Sequence, residues 1–393
     1  MSATQDDLPG WGDYCAALGE ADSVLDLVAG SDDPRMRQEV YRLLFQALAQ
    51  GYANGFLDPL FPDFYPDNNC VFNIATANPD FAYLLATIDG TRAYRISGRR
   101  GDALFVHIDI VSGGLGTMQE PGPSVGGFDL DQIDHDADGN FELLLSTERP
   151  AGHEGNWIAL PQNAKRLLVR EARYDWRGAD SLRLAISCLD APATPAPLSA
   201  EETARRLTRL AAQPARYTRI WLGNVARMRK AGLTNAVETG NFAGQGGFSS
   251  QYYAQGLYAI PPGHALLLET ELPGCAYWNV QLSDPLWSAG DFVNRQTSVS
   301  GGTAHIDGDG RFRAIIALDD PGVPNWLDPA GNSEGAVMLR FTRGDSQPVP
   351  KITPVPLDAI RAHLPADTPV VTPEERRAAL RHRRESAQLR RRW

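Results

Sequence analysis

The chain has 393 residues, is 43% hydrophobic and carries a net charge of −11. This length favours two domains over a single core. The negative charge disfavours nucleic-acid partners, because a polyanion would be repelled. No apolar run approaches the roughly 20 residues that span a bilayer, and the start lacks the features of a secretory signal. We therefore predict a cytoplasmic protein without a membrane span, with four scattered cysteines that stay reduced.

Residues 1–70 are predicted to form an N-terminal helical segment followed by an aromatic loop. Asp33 and Pro34 begin a helical pattern that should end near Gly51. The stretch 56–70 is rich in proline and aromatic residues, which excludes a regular strand ladder. We expect an ordered loop that covers the end of a sheet, or alternatively forms a cleft wall.

Residues 71–190 read as a first β-sandwich, and residues 251–350 read as a second. Alternation in residues 105–110 is clear and places His107 and Asp109 on one face of a strand. Between the sandwiches, residues 191–250 predict a linker and helices, with Ser199 as an N-cap and Pro214 as a break.

Residues 351–393 are expected to be a segment that wraps over the body, followed by a basic C-terminal helix or tail. From Arg376 onward the chain contains eight arginines and one acidic residue, Glu385. The favoured interpretation is a solvated tail or one packed on the acidic body. A homo-oligomer contact or an anionic-surface anchor is the alternative.

An internal duplication organises the chain. Asp136-Ala137-Asp138-Gly139 and Asp307-Gly308-Asp309-Gly310 are 171 positions apart, and Asn156-Trp157 and Asn325-Trp326 are 169 apart. The segments 167–170 and 338–341 follow at a similar offset. We interpret the Asp-Gly segments as hairpin turns and the Asn-Trp pairs as structural plugs. Antiparallel strands without helical crossovers then predict a mainly β fold of two tandem jelly-roll-like sandwiches joined by a helical segment.

The second module resembles domain-of-unknown-function family 1214. The resemblance rests on Tyr277-Trp278, Asn294, residues 307–310, Asn325-Trp326-Leu327 and Leu339-Arg340-Phe341. The first module resembles the usual partner, family 1254, through residues 78–83, although Phe81 departs from that pattern. The resemblance implies tandem sandwiches in mostly bacterial proteins and brings no established reaction.

The sequence contains none of the usual catalytic signatures. There is no nucleophile elbow, phosphate loop or dinucleotide fingerprint, and the seven histidines are far apart. The Asp-x-Asp-Gly segments lack the bidentate Glu of a calcium loop. We therefore predict no cofactor and no metal.

Features outside the duplication provide the candidate site residues, which we expect to line a cleft between the modules. The catalytic candidates are Asp80, Tyr83, His107 and Asp109. The substrate-binding candidates are Tyr252, Tyr253, Trp278, Trp287, Asp291, Asn294 and Arg295. Aromatic walls with a few carboxylates and one imidazole suit acid–base chemistry on a small molecule.

Three functional hypotheses follow from this composition. The first is a cofactor-independent enzyme, of the hydrolase or lyase type, that acts on a small hydrophobic or cyclic substrate. The second is a jelly-roll protein that binds or cleaves glycans. The third is a structural or assembly protein that uses the arginine-rich tail. Jelly rolls host all three, so the fold does not decide between them.

Overall fold

A computed structural model describes residues 8–113, 122–178, 180–243 and 247–390. The chain is mainly β, as predicted, with two tandem sandwiches and a helical segment between them. The helices are α1 (Trp11–Gly19), α2 (Pro34–Phe56), α3 (Ala200–Lys230) and α4 (Pro373–Leu389). Short 3-10 helices cover Glu20–Leu27, Leu130–Gln132 and Leu357–His363.

Among the described residues, each sandwich contains nine strands. In the first they are β1 (Tyr65–Pro66), β2 (Phe81–Thr87), β3 (Tyr94–Arg99), β4 (Phe105–Val111), β5 (Ser124–Asp129), β6 (Asn140–Ser146), β7 (Asn156–Ala159), β8 (Arg166–Ala172) and β9 (Arg183–Cys188). In the second they are β10 (Ala236–Gly240), β11 (Gln251–Ala259), β12 (His264–Thr270), β13 (Tyr277–Ser283), β14 (Ser298–Ser300), β15 (Phe312–Ile316), β16 (Trp326–Leu327), β17 (Glu334–Thr342) and β18 (Lys351–Pro356).

The two sandwiches share one topology. The five-stranded sheets have the orders β1-β2-β8-β4-β5 and β10-β11-β17-β13-β14, and the four-stranded sheets have the orders β7-β6-β3-β9 and β16-β15-β12-β18. Each four-stranded sheet contains one parallel pair, β6 with β7 and β15 with β16. The duplication is therefore longer than the sequence markers indicated, because β10 and β18 extend the second sandwich beyond the predicted range 251–350.

The repeated turns and Asn-Trp pairs are structural, as their recurrence suggested. Gly139 and Gly310 both adopt a positive φ in the turns before β6 and β15. Asn325 donates to the carbonyls of His305 and Arg313 and accepts from the amide of His305. Asn156 makes the same three bonds at the equivalent place in the first module. Each asparagine thus satisfies backbone groups that the loop would otherwise leave unpaired.

This equivalence gives a matched pair of stability variants. Asn325 is 5% exposed, whereas Asn156 is only partly buried. We expect Asn325→Ala to lower the free energy of unfolding by about 2–3 kcal/mol, because it leaves buried backbone groups without partners. Asn156→Ala should cost about 1 kcal/mol, since water can replace its bonds. Urea denaturation of both variants checks this, and a larger loss for Asn156→Ala would contradict it.

The helices between and before the sandwiches pack on each other. Asp33 caps α2, accepting from the amide of Arg35 at 2.9 Å, and Ser199 caps α3, accepting from Glu202 at 3.1 Å. Two boundary predictions were wrong. Gly51 lies inside α2 against the side chain of Gln213, and Pro214 lies inside the continuous helix α3. At Gly51 a Cβ atom would approach Gln213 within 2.5 Å, so glycine here allows close helix packing rather than ending the helix.

The C-terminal helix packs across both modules. Arg376 and Arg383 lie seven residues apart on one face of α4, and Arg390 follows after seven more, just beyond the end of the helix. Arg376 contacts Asp320 of the second module, and Arg390 donates to the carbonyl of Pro79 in the first. These three arginines are used within the chain, which agrees with packing of the tail on the body, while the homo-oligomer contact stays a prediction.

Candidate active site between the modules

The two five-stranded sheets have one face in each sandwich core and the other face toward the neighbouring module. Val106, Ile108 and Val169 belong to the first core, so the alternate residues of β4 and β8 point away from it. Val280 and Leu339 belong to the second core in the same way. A cavity of about 520 Å³ lies against these outward faces, and α2 and α3 complete its wall.

The duplication places equivalent side chains on both sides of this cavity. In the strand register, Arg170 of β8 lies opposite Tyr83 of β2 and His107 of β4. Arg340 of β17 lies opposite Tyr253 of β11 and Asn279 of β13 in the same way. Both arginines and both tyrosines line the cavity. The tyrosine hydroxyls are held in the same manner. The Tyr83 hydroxyl accepts from the backbone N–H of Asn78, and the Tyr253 hydroxyl accepts from the backbone N–H of Phe248. Each hydroxyl keeps its own hydrogen for donation to a ligand.

Asp109, His107 and Asp129 form a carboxylate–histidine–carboxylate group at one wall of the cavity, with Asp109 and His107 buried and Asp129 partly buried. Asp109 lines the cavity and forms an ion pair with Arg170. His107 Nδ1 donates to Asp129 Oδ1 at 2.9 Å, and its Nε2 lies 3.4 Å from Asp109 Oδ1. A Cβ atom at Gly127 would lie 2.9 Å from His107 Nε2, so glycine there makes room for the imidazole.

The environment sets the protonation of this group. Burial lowers the pKa of His107, although the hydrogen bond to Asp129 opposes it. Burial alone would raise the pKa of Asp129, but the bond from His107 and the charge of Arg343 outweigh burial and lower it. A neutral imidazole that donates from Nδ1 presents an unprotonated Nε2 to Asp109. A proton taken up by the Asp109 carboxylate can therefore pass to Nε2 of His107.

A second buried carboxyl group comes from the aromatic loop. Asp67 lines the cavity and accepts from Gln50 Nε2 at 2.8 Å. Burial raises its pKa, with the Gln50 bond and the charges of Arg166 and Arg170 opposing the rise. The loop thus fulfils both sequence interpretations, because Leu60 and Phe64 pack on the first core while Asp67 forms part of the cleft wall.

The raised pKa of Asp67 predicts a stabilising substitution. The folded state binds this proton more tightly than the unfolded chain does, so stability is lost as pH rises from the ordinary value of 3.8 toward the raised value. We expect Asp67→Asn to raise the melting temperature at pH 7–8, and the gain to vanish below about pH 4. Thermal unfolding across this pH range checks the sign, and a lower melting temperature at pH 8 would contradict it.

Backbone strain also concentrates here. Ala75, Thr76 and Trp287 adopt positive φ angles of 65°, 53° and 68°, and all three line the cavity. The amide of Thr76 donates to the carbonyl of Trp287, and the carbonyl of Thr76 accepts from Arg340. Such conformations cost of order 1–3 kcal/mol each and cluster at functional sites.

The sequence-predicted residues separate into three groups in the structure. Tyr83, Asp109, Tyr253 and Trp287 line the cavity, with His107 directly behind Asp109. Tyr252 and Trp278 point into the core of the second sandwich, so they do not line the cleft as predicted. The physical reason is strand alternation, since neighbouring residues of β11 and β13 face opposite sides.

The remaining candidates lie near the cleft but outside its lining. Asp80 is buried and accepts from Trp176 Nε1 at 2.8 Å and from the Tyr277 hydroxyl at 2.7 Å. Its carboxylate therefore joins the modules. Asp291 accepts from Asn294, whose amide oxygen also accepts from Arg384 of α4. Arg295 forms an ion pair with Asp328 at 3.0 Å. These three residues, Asp291, Asn294 and Arg295, organise the loop beneath the C-terminal helix.

Three further residues that line the cavity were not predicted from the sequence: Asp67, Arg170 and Arg340. Asp67 follows a two-residue strand in an irregular loop, and no local sequence pattern indicates that its side chain faces a cavity. The arginines carried a signal, because Arg170 and Arg340 recur in the repeated segments. That recurrence favoured a structural interpretation, whereas the fold brings both copies to one cavity.

The match to known families rests on the first module. Residues 86–171 match the family DUF1214, described as a protein of unknown function. The predicted resemblance to DUF1214 is thus confirmed, but on the first module rather than the second. The duplication explains the shift, since the turn at 136–139, Asn156-Trp157 and Arg170 lie within the matched residues. The resemblance to family 1254 stays a prediction.

One solved structure resembles most of the chain. An uncharacterised protein from Burkholderia cenocepacia is 28% identical, with a TM-score of 0.82 over 89% of this chain and 97% of that one. The VPA0106 protein from Vibrio parahaemolyticus is 12% identical, with a TM-score of 0.46 over 80% and 98% of the two chains. No curated protein matches the sequence. In the part of the chain that the structure describes, no helix is both long and apolar enough to cross a membrane.

Proposed function

We propose that the protein is a cofactor-independent enzyme of the hydrolase or lyase type, which acts on a small organic molecule in the cavity between the modules. The observation that supports this most is the combination of a cavity of about 520 Å³ with buried ionisable groups on its wall. Buried carboxyl and imidazole groups with perturbed pKa values are typical of acid–base sites.

In this proposal Asp109 is the proton acceptor. It faces the cavity as the carboxylate partner of Arg170. In a lyase it would remove a proton from substrate carbon, and in a hydrolase it would take one from an attacking water. His107, held by Asp129, would relay or share the proton through Nε2. Asp67, whose pKa is raised, is the candidate acid that returns a proton to the leaving group.

The apolar walls favour a hydrophobic substrate. Phe81, Leu85, Phe248 and Met338 line the same cavity as the ionisable groups. An aromatic or aliphatic body could bury itself there while one polar end meets the charged wall. This arrangement supports the small hydrophobic or cyclic molecule of the first hypothesis.

The two other hypotheses remain alternatives with less support. A glycan protein needs accessible aromatic platforms, yet Tyr252 and Trp278 lie in the second core. An assembly role for the tail needs free arginines, yet Arg376 and Arg383 contact the body of the same chain.

Comparative metabolite profiling tests the proposal. The wild-type protein and an Asp109→Asn variant are incubated with small-molecule extracts from bacterial cells, and the products are compared by mass spectrometry. We expect at least one compound to be consumed only by the wild type. Identical profiles over a broad set of extracts, with both proteins folded, would contradict catalysis in this cavity.

A further inference from the structure

Arg340 is a buried cation whose contacts are all neutral among the described residues. It is 5% exposed and lies on β17, the central strand of its sheet. Its Nη1 donates to Gln281 Oε1 at 2.8 Å, and its Nη2 donates to the carbonyl of Thr76 at 2.6 Å. A guanidinium has five N–H groups, so these two acceptors leave donors for a further partner.

Three of the other five charged side chains on the cavity wall, those of Asp109, Arg170 and Arg227, have charged partners. The charged lining residues are Asp67, Asp109, Arg166, Arg170, Arg227 and Arg340. Arg170 is paired with Asp109. Burial raises the pKa of Asp67 and the charge of Arg166 opposes the rise, so Asp67 offsets Arg166 only when it is ionised. Arg227 is paired with Glu238 at the rim. Within the described part of the chain, the wall therefore carries at least one positive charge in excess, at Arg340.

An excess buried cation is unfavourable unless something compensates it. Removing a guanidinium from water without a counter-ion costs much more than two neutral hydrogen bonds return. The carbonyl that accepts from Arg340 belongs to Thr76, whose backbone has a positive φ. The guanidinium of Arg340 is therefore held at the cavity wall by a residue in a strained conformation. Both observations indicate that the position serves a ligand.

We propose that the substrate is a small organic acid, whose carboxylate binds Arg340 while its hydrocarbon body lies between the two five-stranded sheets. Arginine suits this role because its planar fork matches a carboxylate with two parallel hydrogen bonds. The bound anion offsets the excess charge of the wall. This inference rests on the proposed function and specifies its substrate class.

The experiment compares an acid with its neutral isostere. The probes are 4-phenylbutyrate and 4-phenylbutanamide, and octanoate and octanamide as an aliphatic pair, titrated by isothermal calorimetry at pH 7.5. We expect each bound acid to bind at least about 10-fold more tightly than its amide, because the amide leaves Arg340 uncompensated. Arg340→Gln should weaken acid binding by about 30-fold or more and leave amide binding unchanged.

Two further variants make the result specific. Arg340→Lys keeps the charge and should retain part of the acid binding. Arg311→Gln removes a partly exposed arginine that is paired with Glu269 of β12 and with Glu271 just after it, and it should bind as the wild type does. Circular dichroism confirms folding of each variant before titration.

The outcomes separate this inference from the proposed function. Equal binding of acids and amides, or no effect of Arg340→Gln, would overturn the anionic substrate while leaving a small-molecule site in place. Absence of acid binding would also overturn it. The enzyme proposal is judged separately, by the turnover difference between wild type and Asp109→Asn, which does not depend on these probes.

Discussion

Replacement of Asp109 by asparagine is expected to lower kcat by about 10²–10⁴-fold, the usual contribution of a positioned acid–base group. The amide keeps the shape of the side chain and a hydrogen-bonding oxygen for Arg170, but it cannot accept a proton from the substrate. KM should change much less than kcat, because the substitution removes the proton acceptor while Arg340 and the apolar walls still hold the substrate. Steady-state kinetics on the compound found by metabolite profiling measures both constants.

A matched control separates catalysis from the loss of a buried ion pair. Asp307 is 6% exposed and is paired with Arg313 at 2.8 Å, in the second module and outside the cavity lining. Asp307→Asn should lower stability and leave kcat per folded molecule within about twofold of the wild type. Equal losses of kcat in the two variants would show that Asp109 acts through stability alone.

A second variant protects the test if Asp109→Asn folds poorly. His107→Gln keeps the Asp109–Arg170 pair and removes the imidazole that shares the proton and donates to Asp129. We expect kcat to fall by about 10-fold or more, with a change in the pH profile, since the relay is lost. An unchanged pH profile and kcat would exclude His107 from proton transfer.

Replacement of Arg376 by glutamine is expected to lower the free energy of unfolding by about 2–4 kcal/mol, because it leaves a partly buried carboxylate and several acceptors unpaired. Arg376 is 6% exposed and pairs with Asp320 at 2.9 Å. It also donates to Gln296 Oε1 at 2.7 Å and to the carbonyl of Val323, and it stacks over the Trp326 ring. Its loss should release the first turns of α4 from the second module.

The neighbouring residue provides the control. Arg377 pairs with Glu374 of its own helix, and the two side chains are 61% and 75% exposed. Exposed pairs of this kind contribute little, so Arg377→Gln should change the free energy of unfolding by less than about 0.5 kcal/mol. Chemical denaturation measures both variants. Equal changes in the free energy of unfolding would mean that α4 is a solvated tail rather than a helix that packs on both modules.

The sequence predicted the architecture well where a local signal was available. Asp-x-Asp-Gly turns and Asn-Trp pairs require particular backbone geometries, so their recurrence revealed the duplication directly. The caps at Asp33 and Ser199 were equally local. Pro214 misled because tertiary packing of α3 tolerates the missing N–H inside a long helix.

The site was harder to predict, because it depends on which sheet face meets the other module. Tyr252 and Tyr253 are adjacent, yet one points into the second core and the other lines the cavity. Strand alternation predicts that their side chains point to opposite faces of the sheet, but it does not predict which of the two faces the core. Arg170 and Arg340 lie in equivalent strands of the two modules. Both line the same cavity only because the two five-stranded sheets pack against each other. The recurrence of an arginine at this position therefore indicated a site shared by the two modules as well as a shared strand structure.

The most direct test of the proposed site is a crystal structure of the Asp109→Asn variant with the substrate identified by turnover. We expect substrate density in the cavity between the two five-stranded sheets. The carboxylate should lie within hydrogen-bonding distance of Arg340, and the reacting atom should lie beside the substituted side chain. Substrate bound elsewhere on the protein, with only water against Arg340, would contradict both the site and the substrate class.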